Sequence, residues 1–259
     1  MIKQERGFSL VEILTAMTVT AILLGGIYLA VNTTQKDAGA IERKVVVQAD
    51  AKSSLDIMTL ELSMASYNAN VFAEEWVDPN NCTAHAANQN LRGIQIATAN
   101  EIVVEMDAND TCKDIAPPAN CMSSATGPNK IISYIYVNGT RPGENIDDRY
   151  ITRATNCGAP QPFLGDRIDS GNPRNVRVNN LDLAIPLFRY FDGKGNELIP
   201  GTASLTGSAR RLNNTTIPDI RRIVITLALQ TAEEDPFRGG RRQLFYSTSV
   251  IPRNHAIIP

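Results

Sequence analysis

The stretch Lys3–Val31, KQERGFSLVEILTAMTVTAILLGGIYLAV, decides the architecture. From Phe8 to Val31 it is apolar and nearly uncharged, with a single acid, Glu12. That run is about 24 residues, enough at about 1.5 Å per residue to cross a hydrocarbon core of roughly 30 Å as a helix. Lys3 and Arg6 precede it and no further Lys or Arg occurs before Lys36. The positive-inside tendency therefore puts the N-terminus on the cytoplasmic side and the rest of the chain outside. A carboxylate at the centre of such a helix costs roughly 2.5–3.5 kcal/mol on insertion scales, so Glu12 is read as a functional group.

A secretory signal has a shorter apolar region followed by a small-residue cleavage site. Here the small residue, Gly7, comes before the apolar run. A short basic leader ending in Gly7, followed by Phe-Ser-Leu-Val-Glu-Ile-Leu at Phe8–Leu14, resembles the class III signal of type IV prepilins and type II secretion pseudopilins. The resemblance implies that a prepilin peptidase removes residues 1–7 by cutting between Gly7 and Phe8. It further implies that Phe8 becomes an N-methylated N-terminus and that the apolar segment is retained.

Cleavage creates an α-amine at Phe8, largely cationic at neutral pH with a reference pKa of about 7.7–8.0. In the family, the equivalent acid pairs with the N-terminus of a neighbouring subunit during assembly. Glu12 in that role offsets two desolvation costs with one ion pair and favours the assembled helix over the isolated one. The competing reading is a plain bitopic anchor whose acid snorkels to the headgroups.

Beyond the apolar run the pattern changes period. From Ala38 to Met64 the apolar residues Ile41, Val45, Ala49, Leu55, Met58 and Leu62 recur mostly at three or four residues, which predicts an amphipathic continuation of the same helix. Gly25, Gly26 and Gly39 each weaken helix propensity by about 1 kcal/mol relative to Ala and mark places for a bend. No proline precedes Pro79, so one element from Phe8 to about Tyr67 is expected. Glu74–Leu91 lacks periodicity and reads as loop. β-rich runs follow at Gly93–Thr98, Glu101–Asp107, Ile131–Val137, Tyr150–Ala154, Ile185–Phe191, Arg222–Leu229 and Leu244–Ile251, separated by Pro-, Gly- and Asn-rich loops at Asp114–Lys130 and Gly158–Asn175. Strands in sequence without intervening helices give an α+β fold: a long N-terminal helix packed on an antiparallel β-rich head. The expected organisation is leader 1–7, membrane and assembly helix 8–31, amphipathic continuation 32–73 and exported head 74–259.

Four later stretches narrow the resemblance: Asn179–Ile199, Ile217–Thr231, Arg241–Val250 and Pro252–Asn254 are similar to the C-terminal half of PilW-type minor pilins and J-type pseudopilins. The middle of the chain carries no such likeness. A PilW-type minor pilin of a type IV pilus is the leading expectation, with a J-type pseudopilin of type II secretion as alternative. The implied partners are a prepilin peptidase, other minor pilins, the major pilin and an inner-membrane assembly platform.

A net charge of -2 with 20% charged residues points to neither a nucleic-acid protein nor a disordered chain. Cys82, Cys112, Cys121 and Cys157 all follow the apolar segment, and an even count in an exported body predicts two disulfides, for which three connectivities exist. Their spacing lacks the close ligand pairs of a zinc site. The Asp192–Glu197 stretch DGKGNE, with Asp107–Asp110, raises calcium as a minor possibility, although a Gly-rich hairpin turn accounts for it more simply. Arg210, Arg211, Arg221, Arg222, Arg238, Arg241 and Arg242 cluster late and are read as a solvated face or a contact with acidic neighbours rather than a nucleic-acid surface. His85 and His255 sit in no recognisable catalytic motif and are expected at the surface, so no enzyme activity and no cofactor is expected.

Overall fold

A computed structural model describes residues 9–67, 76–79, 81–86, 88–107, 131–140, 147–165, 176–199, 212, 215–231 and 239–256, with backbone alone at 81–85, 89, 138–140, 147 and 148. One helix, α1 (Leu10–Ser63), runs unbroken through all three glycines over 54 residues, about 80 Å at 1.5 Å per residue. A Cβ added at Gly25, Gly26 or Gly39 would meet nothing within 4 Å, so these residues introduce no bend by close packing.

Among the described residues twelve strands follow: β1 (Val77–Asp78), β2 (Asn81–His85), β3 (Ile94–Ala97), β4 (Glu101–Glu105), β5 (Ile131–Thr140), β6 (Asp147–Thr155), β7 (Gln161–Leu164), β8 (Val176–Val178), β9 (Phe188–Phe191), β10 (Glu197–Leu198), β11 (Arg222–Thr231) and β12 (Gln243–Val250). Strands β3 to β7 form an antiparallel meander in chain order. The second sheet has the order β10-β9-β11-β12, with β8 continuing the β9 edge by pairing with the far end of β11. Sheet and helix together make the α+β layout expected from sequence. The loop expected over Glu74–Leu91 is instead a small β1–β2 hairpin followed by a 3-10 turn at Gln89–Leu91. Pairing with β6 and β11 likewise makes strands of Gln161–Leu164 and Val176–Val178, where loop was expected at least through Asn175.

One core joins the stem to both sheets. Val47, Ala51, Leu55, Met58 and Leu62, spaced three or four apart, line one side of α1 and pack with Ile102, Tyr134, Ile223, Ile225 and Leu227. The expected stripe is thus right at Leu55, Met58 and Leu62 and wrong before them. Ile41 and Val45 stand 60% and 55% exposed, and Ala49 is also exposed. Val45, Val46 and Val47 are equally apolar, and the position of the head chose Val47.

The stem ends in a tight stitch. Ser66 takes a left-handed conformation (φ 63°), and its N–H donates to the Glu105 carbonyl at 2.9 Å. Gly93 N–H donates to Ser66 Oγ at 3.0 Å, and Glu105 N–H to the Gly93 carbonyl at 2.7 Å. A side chain at Gly93 has no room, since its Cβ would lie 2.3 Å from Ser66 N and 2.4 Å from the Glu105 carbonyl oxygen. Higher on the stem, Arg153 from β6 clamps Glu61 at 2.5 and 3.1 Å, and the Tyr134 hydroxyl from β5 donates to the same carboxylate. Burial, then the Glu61 carboxylate, raises the Tyr134 pKa, so the hydroxyl stays a donor.

Candidate functional site

The exposed end of α1 opens with Ser9, whose backbone is extended (φ -71°, ψ 143°) and whose Oγ accepts from Val11 N–H at 3.4 Å. Glu12, three positions on, returns its Oε2 to Ser9 N–H at 3.0 Å. This is a reciprocal capping box, which satisfies N–H groups that the first helical turn leaves without carbonyl partners. The signal stood in the sequence as Ser9-x-x-Glu12, and the sequence reading, occupied with intersubunit charge, overlooked it. Glu12 therefore has a local partner in the isolated chain. Gly7 and Phe8 lie outside the described residues.

The threonines along this end, Thr18 among them, turn inward to their own helix. Thr15, Thr20, Thr33 and Thr34 donate their hydroxyls to the carbonyls of Val11, Ala16, Leu29 and Ala30 at 2.7–3.0 Å. Such bonding removes hydroxyls from any need for water, as an apolar environment requires. Around them the large apolar residues are bare: Leu10 is 74% exposed, Ile22 72% and Tyr28 70%. Among the described residues α1 is the one helix long and apolar enough to cross a membrane; its apolar window has mean hydropathy 2.0 and no buried residue. Glu12 borders a shallow groove of about 610 Å³ lined by Ile13, Ala16, Met17, Thr20, Ala21 and Leu24. The segment is a column of apolar surface with one carboxylate near its tip, able to be covered by lipid or by other helices.

The remaining sequence candidates are scattered through the head. Cys157 is disulfide-bonded, with Sγ 3.8 Å from the Pro79 carbonyl oxygen; the Cys82 side chain, Cys112 and Cys121 lie outside the described residues. Asp192 closes a hairpin turn: Oδ1 accepts from Lys194 and Asn196 N–H, and Oδ2 from Asn196 Nδ2, each at 2.8 Å. These bonds, chiefly the Asn196 side chain, hold its carboxyl below the usual range. Among the described residues no group of three His, Cys, Asp or Glu side chains is placed to hold a metal. Asp107 is buried beside the stem's end, and Asp110 lies outside the described residues.

Among the described residues the late arginines fall at the two ends of the β11–β12 pair rather than in one patch. Arg222 stacks over Phe191 at 4.3 Å, Arg221 donates to the carbonyls of Pro218 and Ile220 at 2.7 and 2.9 Å, and Arg241 and Arg242 reach the stem at Lys44. Arg210, Arg211 and Arg238 lie outside the described residues.

His255 corrects the expectation of a surface histidine, for it is fully buried. Its Nε2 lies 2.9 Å from the Ile217 carbonyl oxygen and must be the protonated donor, which leaves Nδ1 to accept the Ser66 hydroxyl at 2.7 Å. Arg92 Nη1 adds a 2.6 Å bond to the His255 carbonyl. Burial, with Arg92 and Arg221 nearby, pushes the imidazole pKa down to about 4 despite the opposing Ile217 carbonyl. Ser66 and His255 resemble a nucleophile–base pair only in distance, since the histidine has no exposed surface for a substrate and both its nitrogens are occupied. They tie the stem, the 3-10 turn at Ile217–Asp219 and the C-terminal turn together. The partners lie 38 and 189 residues from His255, beyond the reach of any local pattern.

Neither a curated protein nor a solved structure matches the chain. Residues 2–28 match the family model described as the prokaryotic N-terminal methylation motif, which spans the leader, Glu12 and most of the bare column. That motif supports a type IV pilin-like prepilin segment and implies processing by a prepilin peptidase, and the long apolar helix is consistent with a single-pass membrane anchor.

Proposed function

We propose that the protein is a minor pilin of the PilW type, held in the inner membrane by α1, cleaved between Gly7 and Phe8, and methylated at Phe8. It then enters the initiating or tip complex of a type IV pilus, with Glu12 paired to a neighbouring subunit's N-terminal amine and the head outward. Its work is assembly and contact rather than catalysis. The observation that carries this reading is the bare apolar column of α1, headed by the methylation motif and fused to a folded head that covers none of the column's apolar window. A J-type pseudopilin of type II secretion is the second reading, because the same four C-terminal stretches resemble it. Recovery with sheared pili or with secretion-system pseudopilins separates the two.

The processing step is tested by intact mass. In cells with an active prepilin peptidase, wild-type protein should begin at methylated Phe8. Gly7→Leu should remain full length, because a side chain at that position obstructs the cut. Wild-type protein still beginning at Met1 in those cells would overturn the prepilin reading.

A further inference from the structure

The fold places Lys44 of α1 on the same groove as Arg241 and Arg242, residues nearly two hundred positions later in the chain. Together with Gly240, Gln243 and Leu244 they line a half-open groove of about 620 Å³ between the stem and the start of β12. Among the described residues that line it, three of six are cationic and none is acidic. Ile41, three residues before Lys44, and Val45, beside it, are large apolar residues that the head leaves uncovered on this part of the stem. Positions three and four apart share a helix face, so the groove adjoins an exposed apolar strip. Apolar strip and cationic pocket side by side fit an amphipathic helix that carries an acid.

We infer that this groove receives an Asp or Glu side chain from the stem of an adjacent prepilin-type subunit, while that subunit's apolar stripe covers Ile41 and Val45. The inference rests on the proposed assembly role. A lipid headgroup is the other source of negative charge, and distance disfavours it. Lys44 lies 13 residues beyond Val31, the end of the apolar run, or about 20 Å along an upright helix. The polar layer on one side of a bilayer is only about 5–8 Å thick. The groove therefore stands clear of the headgroups and level with neighbouring stems. A contact between charges in a half-open groove contributes more to register and partner choice than to affinity.

Carbodiimide coupling, which joins a lysine amine to a carboxylate in direct contact, tests this on the full-length protein in sheared fibres and in membranes. Lys44 should couple to an Asp or Glu of another subunit's stem, identified by peptide mass spectrometry. Lys44→Arg, which keeps the cation but cannot form the amide, should lose that product at least tenfold and still assemble. Lys44→Glu/Arg241→Glu should enter fibres at least tenfold less than wild type, and changing the coupled acid of the partner to Lys should restore it. That rescue would not follow if the reversal merely unfolded the head. Coupling confined to carboxylates of the same chain, or normal assembly of the double reversal, overturns the inference while leaving the prepilin reading intact. So does an anionic phospholipid retained by the membrane-extracted protein in native mass spectrometry and released by the double reversal. Absence of the wild-type protein from fibres and secretion complexes alike removes the assembly role and this contact with it.

Discussion

Glu12 has two possible duties, and one pair of substitutions separates them. As the closing residue of a capping box it serves its own helix; as an anion it offers charge to a neighbour's Phe8 amine. Glu12→Gln keeps an acceptor for Ser9 N–H and removes the charge, whereas Glu12→Leu removes both. Both variants should insert in the membrane, and if the ion pair drives assembly neither should join the fibre, as read by immunoblotting the sheared fraction. Normal incorporation of Glu12→Gln would leave capping as the sole role. His255 makes a prediction of a different kind. Its folded pKa, about 4, is below the ordinary 6.5, so between those values the unfolded chain binds the proton and the folded one does not. Stability is therefore full above about pH 6.5 and falls as the pH drops towards 4, by about 3 kcal/mol at 1.36 kcal/mol per unit. Urea denaturation of the detergent-solubilised protein at pH 7 and pH 4.5 should show this loss, and His255→Gln should abolish most of the difference. An unchanged pH dependence in the variant would assign the slope to other groups.

At the scale of elements, the glycines show where α1 is held and where it is free. Gly93→Ala would drive a methyl group into the backbones of Ser66 and Glu105, parting the end of the stem from the β3–β4 hairpin. A cost of about 2–4 kcal/mol is expected, within the range for overpacked cores and broken buried bonds. Gly25→Ala and Gly26→Ala meet empty space in the isolated chain and should strengthen the helix by up to about 1 kcal/mol each. Thermal unfolding and helix content measured on the three variants would rank them in that order. Gly93→Ala with wild-type stability would show that the stitch is slack. Any assembly defect in the other two would point to neighbouring helices, since a Cβ at either position meets none of the described residues of this chain.

The whole molecule bears on copy number. A subunit repeated along a fibre must pack its head against copies of itself at every step, which constrains each projecting loop. This chain has a long segment without sequence periodicity at Asp114–Lys130, and a cationic groove where its stem meets the start of β12. Such a head suits a position with few copies. Quantitative mass spectrometry of sheared fibres should find the protein far below the main pilin, and its deletion should reduce fibre number much more than its own mass would suggest. Equal abundance along the shaft would overturn the minor-subunit reading and leave the prepilin features untouched.

Local chemistry determined the features that sequence alone disclosed. An apolar run with one acid, flanked by a basic leader, states its own need for an apolar environment. The three-to-four spacing at Leu55, Met58 and Leu62 is a property of neighbouring turns, and the β-rich runs that form the strands Glu101–Glu105 and Arg222–Thr231 are equally local. Ser9-x-x-Glu12 was legible on the same terms and was missed. Tertiary structure alone decided which of three adjacent valines is buried, why two- and three-residue strands form at Val77–Asp78 and Val176–Val178, and how Lys44 meets Arg241. It also turned His255 from an unremarkable residue near the C-terminus into a buried link between stem and head. Apart from the local pairing of Val77–Asp78 with Asn81–His85, each of these depends on hydrogen bonds or contacts between segments far apart in the chain, where the partner supplies the stabilisation that the segment's own residues lack.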